Sequence, residues 1–311
     1  MSSQTQKVPY VRLGKSGLKV SRIILGCMSY GSTDWADWVI DDEQEAFKHI
    51  KSAYDHGIQT FDTANVYSKG TSEIILGKAI KELKLPRDEI VIMTKIGKDL
   101  NQLGLVNQYG LSRKHIFDSV KHSLERLQLD CIDVLQCHRF GPDTPIEETM
   151  QAVHDVVKAG YVRYIGMSSC YAYQYYAISY NLTPFISMQN HYNLVYREEE
   201  REMLPTLKMF GVGAIPWSPL ARGILTRPLN VTTKRSESDA VEDLAKKKGV
   251  SMAQISTAWI LAKDGVSAPI VGTTNLKNLE DLIAAVNVTL SDDEIQYLEE
   301  LYHPSPILGH I

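Results

Sequence analysis

The chain is 311 residues long, 44% hydrophobic and 23% charged, with a formal net charge of -4. That composition belongs to a globular protein with a sizeable core, and the acidic balance speaks against nucleic-acid binding, which needs a basic face. No apolar run of about 18 residues occurs and the first ten residues carry no apolar signal region, so the expectation is a cytoplasmic protein with no membrane contact.

Residues 10–20 read Y-V-R-L-G-K-S-G-L-K-V, two short alternating segments about a Gly-Lys-Ser-Gly turn, which predicts a β-hairpin. Gly-Lys-Ser is not a phosphate loop here, because the earlier glycine of that motif is missing and no helix follows. Strands are then expected at 22–26, 59–62, 90–95, 132–138, 162–167, 185–190, 212–217 and 268–271. Several are nearly continuous apolar runs, as parallel strands covered on both faces require. Helical periodicity fills the gaps at 42–56, 72–83, 112–127, 145–159, 171–180, 198–210, 238–248 and 276–286. Asp41, Asp42 and Ser112 suit N-caps, and Gly57, Gly160 and Gly211 suit helix stops.

Eight strands alternating with eight helices predict one α/β domain over residues 1–311, a (β/α)₈ TIM barrel. A doubly wound sheet is the alternative, but Leu25 to Gly31 lacks the G-x-G-x-x-G spacing of a dinucleotide turn. Two further helices, at 252–262 and 292–301, exceed the count and are expected outside the barrel. Cys27, Cys131, Cys137 and Cys170 form no C-x-x-C pair and are expected as buried free thiols. Cys137-His138 alone is too little for a zinc site, and no metal is expected.

In such a barrel the C-terminal strand ends carry the active site. The second strand ends in Asp62 with Tyr67 on the following loop, the third ends in Lys95, and the fourth ends in His138. Each alone has an ordinary structural explanation; their convergence on one barrel face does not. Together they suit proton transfer to a carbonyl oxygen. A free phenol has a pKa of about 10, a neighbouring ammonium favours its phenolate, and a carboxylate keeps that ammonium charged in a dry site.

This set, with G-Y-V-R-Y-I-G-M-S-S, S-M-Q-N-H-Y-N-L and I-P-W-S-P-L-A-R-G-I-L-T, resembles the aldo-keto reductase superfamily over essentially the whole chain, closest to fungal aryl-alcohol dehydrogenase-like aldehyde reductases. The resemblance implies NADPH-dependent reduction of aldehydes or ketones, without a metal, with Tyr67 as proton donor and NADH as a possible second cofactor. It implies that Ser168, Gln189 and Asn190 hold the nicotinamide carboxamide and that Trp217 stacks on the ring. Ser218, Leu220 and Gly223 would follow the pyrophosphate, and Gly272, Thr273, Thr274 and Lys277 the adenosine end. Gly26 and Met28 complete the cofactor set. Relatives commonly have Ser-Asn where this chain has Ser168-Ser169, and no guanidinium is evident for a 2′-phosphate.

Tyr30, Trp35 and Trp38 after the first strand, with Tyr109 after the third, are candidate pocket walls for flat apolar substrates. A cofactor-binding regulatory subunit, similar to potassium-channel β-subunits, is the alternative function. A Schiff-base lysine at Lys95 is a third reading, opposed by the Asp62 partner that would keep it protonated.

Overall fold

The computed structural model describes residues 7–98, 105–170, 172–227 and 237–307. The hairpin forms as expected: β1 (Tyr10–Arg12) pairs antiparallel with β2 (Lys19–Ser21). Eight parallel strands follow, β3 (Ile24–Gly26), β4 (Thr60–Asp62), β5 (Val91–Ile96), β6 (Ile132–Cys137), β7 (Val162–Met167), β8 (Phe185–Met188), β9 (Gly213–Ala214) and β10 (Ile270–Val271). They lie in the order β10-β3-β4-β5-β6-β7-β8-β9. Parallel bridges Ala214–Val266 and Trp217–Ile270 join the two ends, where the Ile270 N–H donates to the Pro216 carbonyl at 2.8 Å. The sheet therefore closes on itself.

The helices are α1 (Glu43–Asp55), α2 (Thr71–Glu82), α3 (Arg113–Leu127), α4 (Ile146–Lys158), α5 (Ala172–Ser179), α6 (Met203–Phe210), α7 (Glu237–Lys248), α8 (Met252–Ala262), α9 (Leu276–Ala284) and α10 (Asp292–Glu299). Asp42 caps α1 by accepting from the N–H groups of Gln44 and Glu45, and Ser112 caps α3 by accepting from His115. The expected strand beginning at 212 shortens to a two-residue ladder; beyond Ala214 the Ile215 N–H still donates to Met188 of β8, but Trp217 makes only isolated bridges, to His191 and to Ile270. Tyr171, where the fifth helix was expected to open, lies outside the described residues.

Two helices do exceed eight, but one of the expected pair changes place. Around the barrel α9, α1, α2, α3, α4 and α5 pack in sequence, and α8 packs beside α9, so α8 belongs to the inner ring. The outer pair is α7, against α8, and α10, against α7. Composition explains the exchange. In α8, M-A-Q-I-S-T-A-W-I-L-A, seven side chains including Trp259 and Ile260 are buried, as in a helix apolar nearly all round. The sequence of α7 ends in three lysines.

Inside the barrel, Ile24, Val91, Met93, Val134, Ile215 and Ala268 form an apolar floor, closed below by Leu13 and Val20 of the hairpin region. Side chains alternate along a strand. The inward row of β5 thus runs Val91, Met93, Lys95, and that of β6 runs Val134, Gln136, His138. The floor becomes polar at its C-terminal end, where Asp62, Lys95 and Gln136 are all buried.

Candidate active site

Lys95 is fully buried and all three ammonium protons have acceptors. Nζ donates to Asp62 Oδ2 at 2.6 Å, to the Thr63 carbonyl at 2.8 Å and to the Tyr67 hydroxyl at 3.1 Å. The opposite oxygen of Asp62, Oδ1, accepts from Gln136 Nε2 at 2.8 Å and from Gln189 Nε2 at 3.1 Å. Gln189 Nε2 also donates to Gln136 Oε1 at 2.9 Å. A buried ion pair is tolerable only when its remaining lone pairs and protons are satisfied, and here they are.

The Tyr67 hydroxyl accepts from Lys95, so its own proton is left to point elsewhere. Burial raises the phenol pKa most; Lys95 opposes this and Asp62 adds to it, and the net direction is upward. The lowering expected from the ammonium is real as a contribution but does not prevail, because a dry phenolate beside Asp62 is costly. Tyr67 is consequently a protonated phenol at neutral pH, the form a proton donor needs. For Lys95, burial is the largest influence and disfavours the charge, but Asp62 and then Tyr67 outweigh it and raise the pKa.

His138 lies edge-on to Tyr67, with ring centroids 6.0 Å apart. Burial, then the cations Lys95, Lys98 and Arg139, push its pKa well below the usual histidine range, so the ring is neutral. Its Nδ1 is buried without a hydrogen-bond partner among the described residues. The four ionisable groups that sequence placed at three strand ends therefore do meet.

Tyr67 is held by a strained turn. The residues after it, Ser68 and Lys69, have φ of 46° and 53°, and Gly70 has 92°, three successive left-handed residues that swing the chain into α2. Non-glycine residues there cost on the order of 1–3 kcal/mol each and gather at functional sites. Ser68 Oγ accepts the Ser32 N–H at 3.1 Å, tying this turn to the loop after β3. The two loops meet at Gly31, where an added Cβ would fall 2.0 Å from Ser68 Oγ. Gly31→Ala should displace the Tyr67 turn and lower kcat by roughly 10- to 100-fold, with KM for the cofactor changed little, because misplacement of about 1 Å costs that order in rate. Steady-state kinetics with both substrates varied checks this, and unchanged kcat would refute it.

At the end of β7, Ser168 Oγ donates to the Gln189 carbonyl at 2.7 Å and accepts from Arg139 Nη1 at 2.7 Å. Both Gln189 Nε2 protons are also committed, so Ser168 and Gln189 retain acceptor capacity only. They fit the NH₂ end of a carboxamide. Ser169 has φ of 54° and a buried Oγ without a partner among the described residues. Asparagine tolerates that conformation better than serine. Asn190 donates to Glu199 Oε2 at 2.7 Å and leaves its own Oδ1 buried and unmatched.

Trp217 is stacked at 4.3 Å on His191, whose other face lies 4.6 Å from Tyr196. Asn193 Nδ2 donates to the Ser218 carbonyl and lies 3.1 Å from His191 Nε2, while its Oδ1 accepts from Val195. His191 Nε2 is thus the acceptor and Nδ1 carries the proton. Beyond Trp217, Ser218, Ala221, Arg222 and Gly223 have φ of 54°, 48°, 57° and 93°. The Ala221 and Gly223 N–H groups donate to the Ser218 and Leu220 carbonyls within this turn, so an anion would meet its other N–H groups. Leu220 lies within the same turn. Thr273 and Lys277 flank the N-terminus of α9, where Thr273 Oγ1 accepts from the Asn275 N–H; Gly272, Thr274 and Lys277 are exposed. An adenosine phosphate would meet the positive end of that helix.

The remaining sequence candidates divide. Trp35 packs 6.2 Å from Tyr67 and 5.9 Å from Trp38, so both line the mouth. Tyr30 does not: it is 1% exposed with its ring edge-on to His49, a core residue. Tyr109 is exposed on the loop bonded to Gly97 and makes no hydrogen bond or ring contact with the tetrad among the described residues. Gly26 is buried at the end of β3, where a Cβ would meet Ile270 at 2.9 Å, so barrel packing accounts for it. Met28 is exposed beside it. Gln136 and Arg139 were missed; the signals were a glutamine at an inward position of an apolar strand and a cation directly after His138. Among the described residues no group of three or more His, Cys, Asp or Glu is placed to hold a metal, and no helix is long and apolar enough to cross a membrane. The four cysteines are free.

The aldo/keto reductase family model matches residues 22–303. The chain belongs to this family. A Schizosaccharomyces pombe protein named "putative aryl-alcohol dehydrogenase" is 49% identical, with all of both chains covered. Versiconal hemiacetal acetate reductase of Aspergillus parasiticus is 46% identical over 96% of this chain and 98% of its own, and an aldo-keto reductase of Metarhizium robertsii is 44% identical over 99% and 94%. Aldo/keto reductases are oxidoreductases that act on small carbonyl compounds with a nicotinamide cofactor.

Proposed function

We propose that this protein reduces aldehydes or ketones to alcohols with NADPH, and that Tyr67 supplies the proton. The observation that carries the proposal is Lys95 Nζ, held between Asp62 Oδ2 at 2.6 Å and the Tyr67 hydroxyl at 3.1 Å. The cofactor's contribution is hydride delivered to the carbonyl carbon. The carbonyl oxygen, gaining negative charge, would sit between the Tyr67 hydroxyl and the neutral His138 ring. Tyr67 gives up its proton as Lys95 stabilises the resulting phenolate, and Asp62 works through Lys95 without touching substrate. Ser168 and Gln189 orient the carboxamide by accepting from it, and Trp217, braced from behind by His191, offers its open face to the nicotinamide.

Trp35 and Trp38 favour flat apolar substrates, and the aryl-alcohol name borne by a relative agrees with that class. NADPH over NADH rests on Thr273, Thr274 and Lys277 at the start of α9. Following NADPH and NADH oxidation over aromatic and aliphatic aldehydes tests the reading. Benzaldehyde-type substrates are expected to oxidise NADPH, with kcat/KM at least about tenfold above NADH, since one charge-assisted contact contributes roughly 1.5–3 kcal/mol. Cofactor binding without turnover on any aldehyde would instead favour a regulatory subunit.

A further inference from the structure

Among the described residues Arg139 is a cation without a counter-charge, and it follows His138 at the edge of the reacting cleft. Its Nη1 donates to the His138 carbonyl and to Ser168 Oγ, using both protons of that nitrogen. The protons on Nε and Nη2 have no partner among the described residues, and no carboxylate there lies within ion-pair distance. These are the two nitrogens of one guanidinium edge, the edge that grips a carboxylate through two parallel bonds. The side chain is only partly buried, and neither nitrogen is among the buried polar atoms that lack a partner, so this edge is open to solvent.

Its surroundings reinforce the charge. Lys98, exposed two residues beyond β5, has its pKa lowered by burial and then by Arg139 and Lys95. Arg139 itself is lowered by burial, with only Tyr67 acting against this. Among the described residues, the carboxylate that lies beneath, Asp62, is already matched by Lys95, Gln136 and Gln189. Two bonds anchor Arg139 next to His138, whose ring faces Tyr67. A group held by its free edge would therefore lie a short distance from a carbonyl placed between those two residues.

We propose that the free edge of Arg139, with Lys98 at the rim, binds a carboxylate carried by the carbonyl substrate. The preferred substrates are then aryl or alkyl aldehydes and ketones bearing an acid group, against the aromatic wall of Trp35. This inference rests on the reductase reading above.

The test compares benzaldehyde with its 2-, 3- and 4-carboxy derivatives in wild type, Arg139→Gln and Arg139→Lys, together with benzoate binding to the protein–NADP⁺ complex by calorimetry. At least one carboxy isomer is expected to exceed benzaldehyde in kcat/KM by tenfold or more. That ratio should collapse toward one in Arg139→Gln, recover in part in Arg139→Lys, and fall with added salt in wild type. Benzoate affinity should fall at least tenfold in Arg139→Gln. Reduction of benzaldehyde with no preference for any carboxy isomer would overturn this inference and leave the reductase reading standing. An equal loss on both substrates in Arg139→Gln would make Arg139 a support for Ser168 alone, and would also overturn it. If no aldehyde is reduced, the reductase reading fails, and benzoate binding still decides the anion site: unchanged affinity in Arg139→Gln rejects it.

Discussion

Tyr67→Phe should lower kcat for aldehyde reduction by about 10²–10⁴-fold, the usual worth of a positioned general acid. It should leave NADPH binding intact, because the hydroxyl touches Lys95 and the open cleft and not the residues proposed to hold the cofactor. Lys95 loses only the longest of its three acceptors, 3.1 Å against 2.6 Å and 2.8 Å, so the pair with Asp62 stays formed and stability should fall by about 1–3 kcal/mol. The decisive comparison is kcat against cofactor Kd, read from protein fluorescence on titration with NADPH. Full turnover in the variant would remove Tyr67 as proton donor. A parallel collapse of cofactor binding would mean that the residue is structural.

Much of the site was legible because a barrel brings strand ends together, and a strand end can be read from sequence. Asp62, Lys95 and His138 each close an apolar run, and apolar runs of that length are strands. What could not be read was pairing inside the barrel. Gln136 was an ordinary residue of a strand until the register set it beside Asp62. Gln189 was visible only as a candidate for cofactor, although its amide also completes the shell around the carboxylate. Tyr30 was misplaced for a related reason. An aromatic on the stretch after the first strand reads as a loop residue, whereas here the chain folds back through Tyr30–Ile40 pairing and drives the ring into the layer beneath α1. The exchange of roles between α7 and α8 had a sequence signal in the all-round apolar character of α8, but short strands before it gave no reference from which to count. Left-handed backbone at Ser68, Lys69, Ser169, Ser218 and Arg222 had no signal at all, since these are not residues that favour it. Strain of that kind is supported by surrounding structure, and it lies along the face where the chemistry is proposed.

Asp62→Asn should be the most disruptive single change at the site. The carboxylate accepts from Lys95, Gln136 and Gln189, and an amide in its place can keep the two glutamine bonds through its oxygen only by turning its NH₂ toward the Lys95 ammonium. A fully buried ammonium then faces a donor. Removing one partner of a buried pair costs about 3–5 kcal/mol, and denaturant unfolding near pH 6 should show a loss of that size. The pH dependence distinguishes this cause from simple mispacking. In the wild type the folded-state pKa of Lys95 is raised above its unfolded value of about 10.4. Its contribution is therefore fully present below that pH and is lost only as pH rises through the higher folded value. In the variant the burial influence is no longer outweighed by Asp62, so the folded pKa falls below the unfolded one. Between the two values the unfolded chain binds more protons than the folded one, and the stability of the variant rises with pH. The gap to wild type should accordingly narrow as pH increases toward 10. Activity should move the other way: as Lys95 loses its proton it no longer stabilises the Tyr67 phenolate, so kcat should decline with pH where the wild type holds. A stability gap of constant size from pH 6 to pH 10 would assign the loss to packing and would contradict the role of Asp62 as the residue that keeps Lys95 charged.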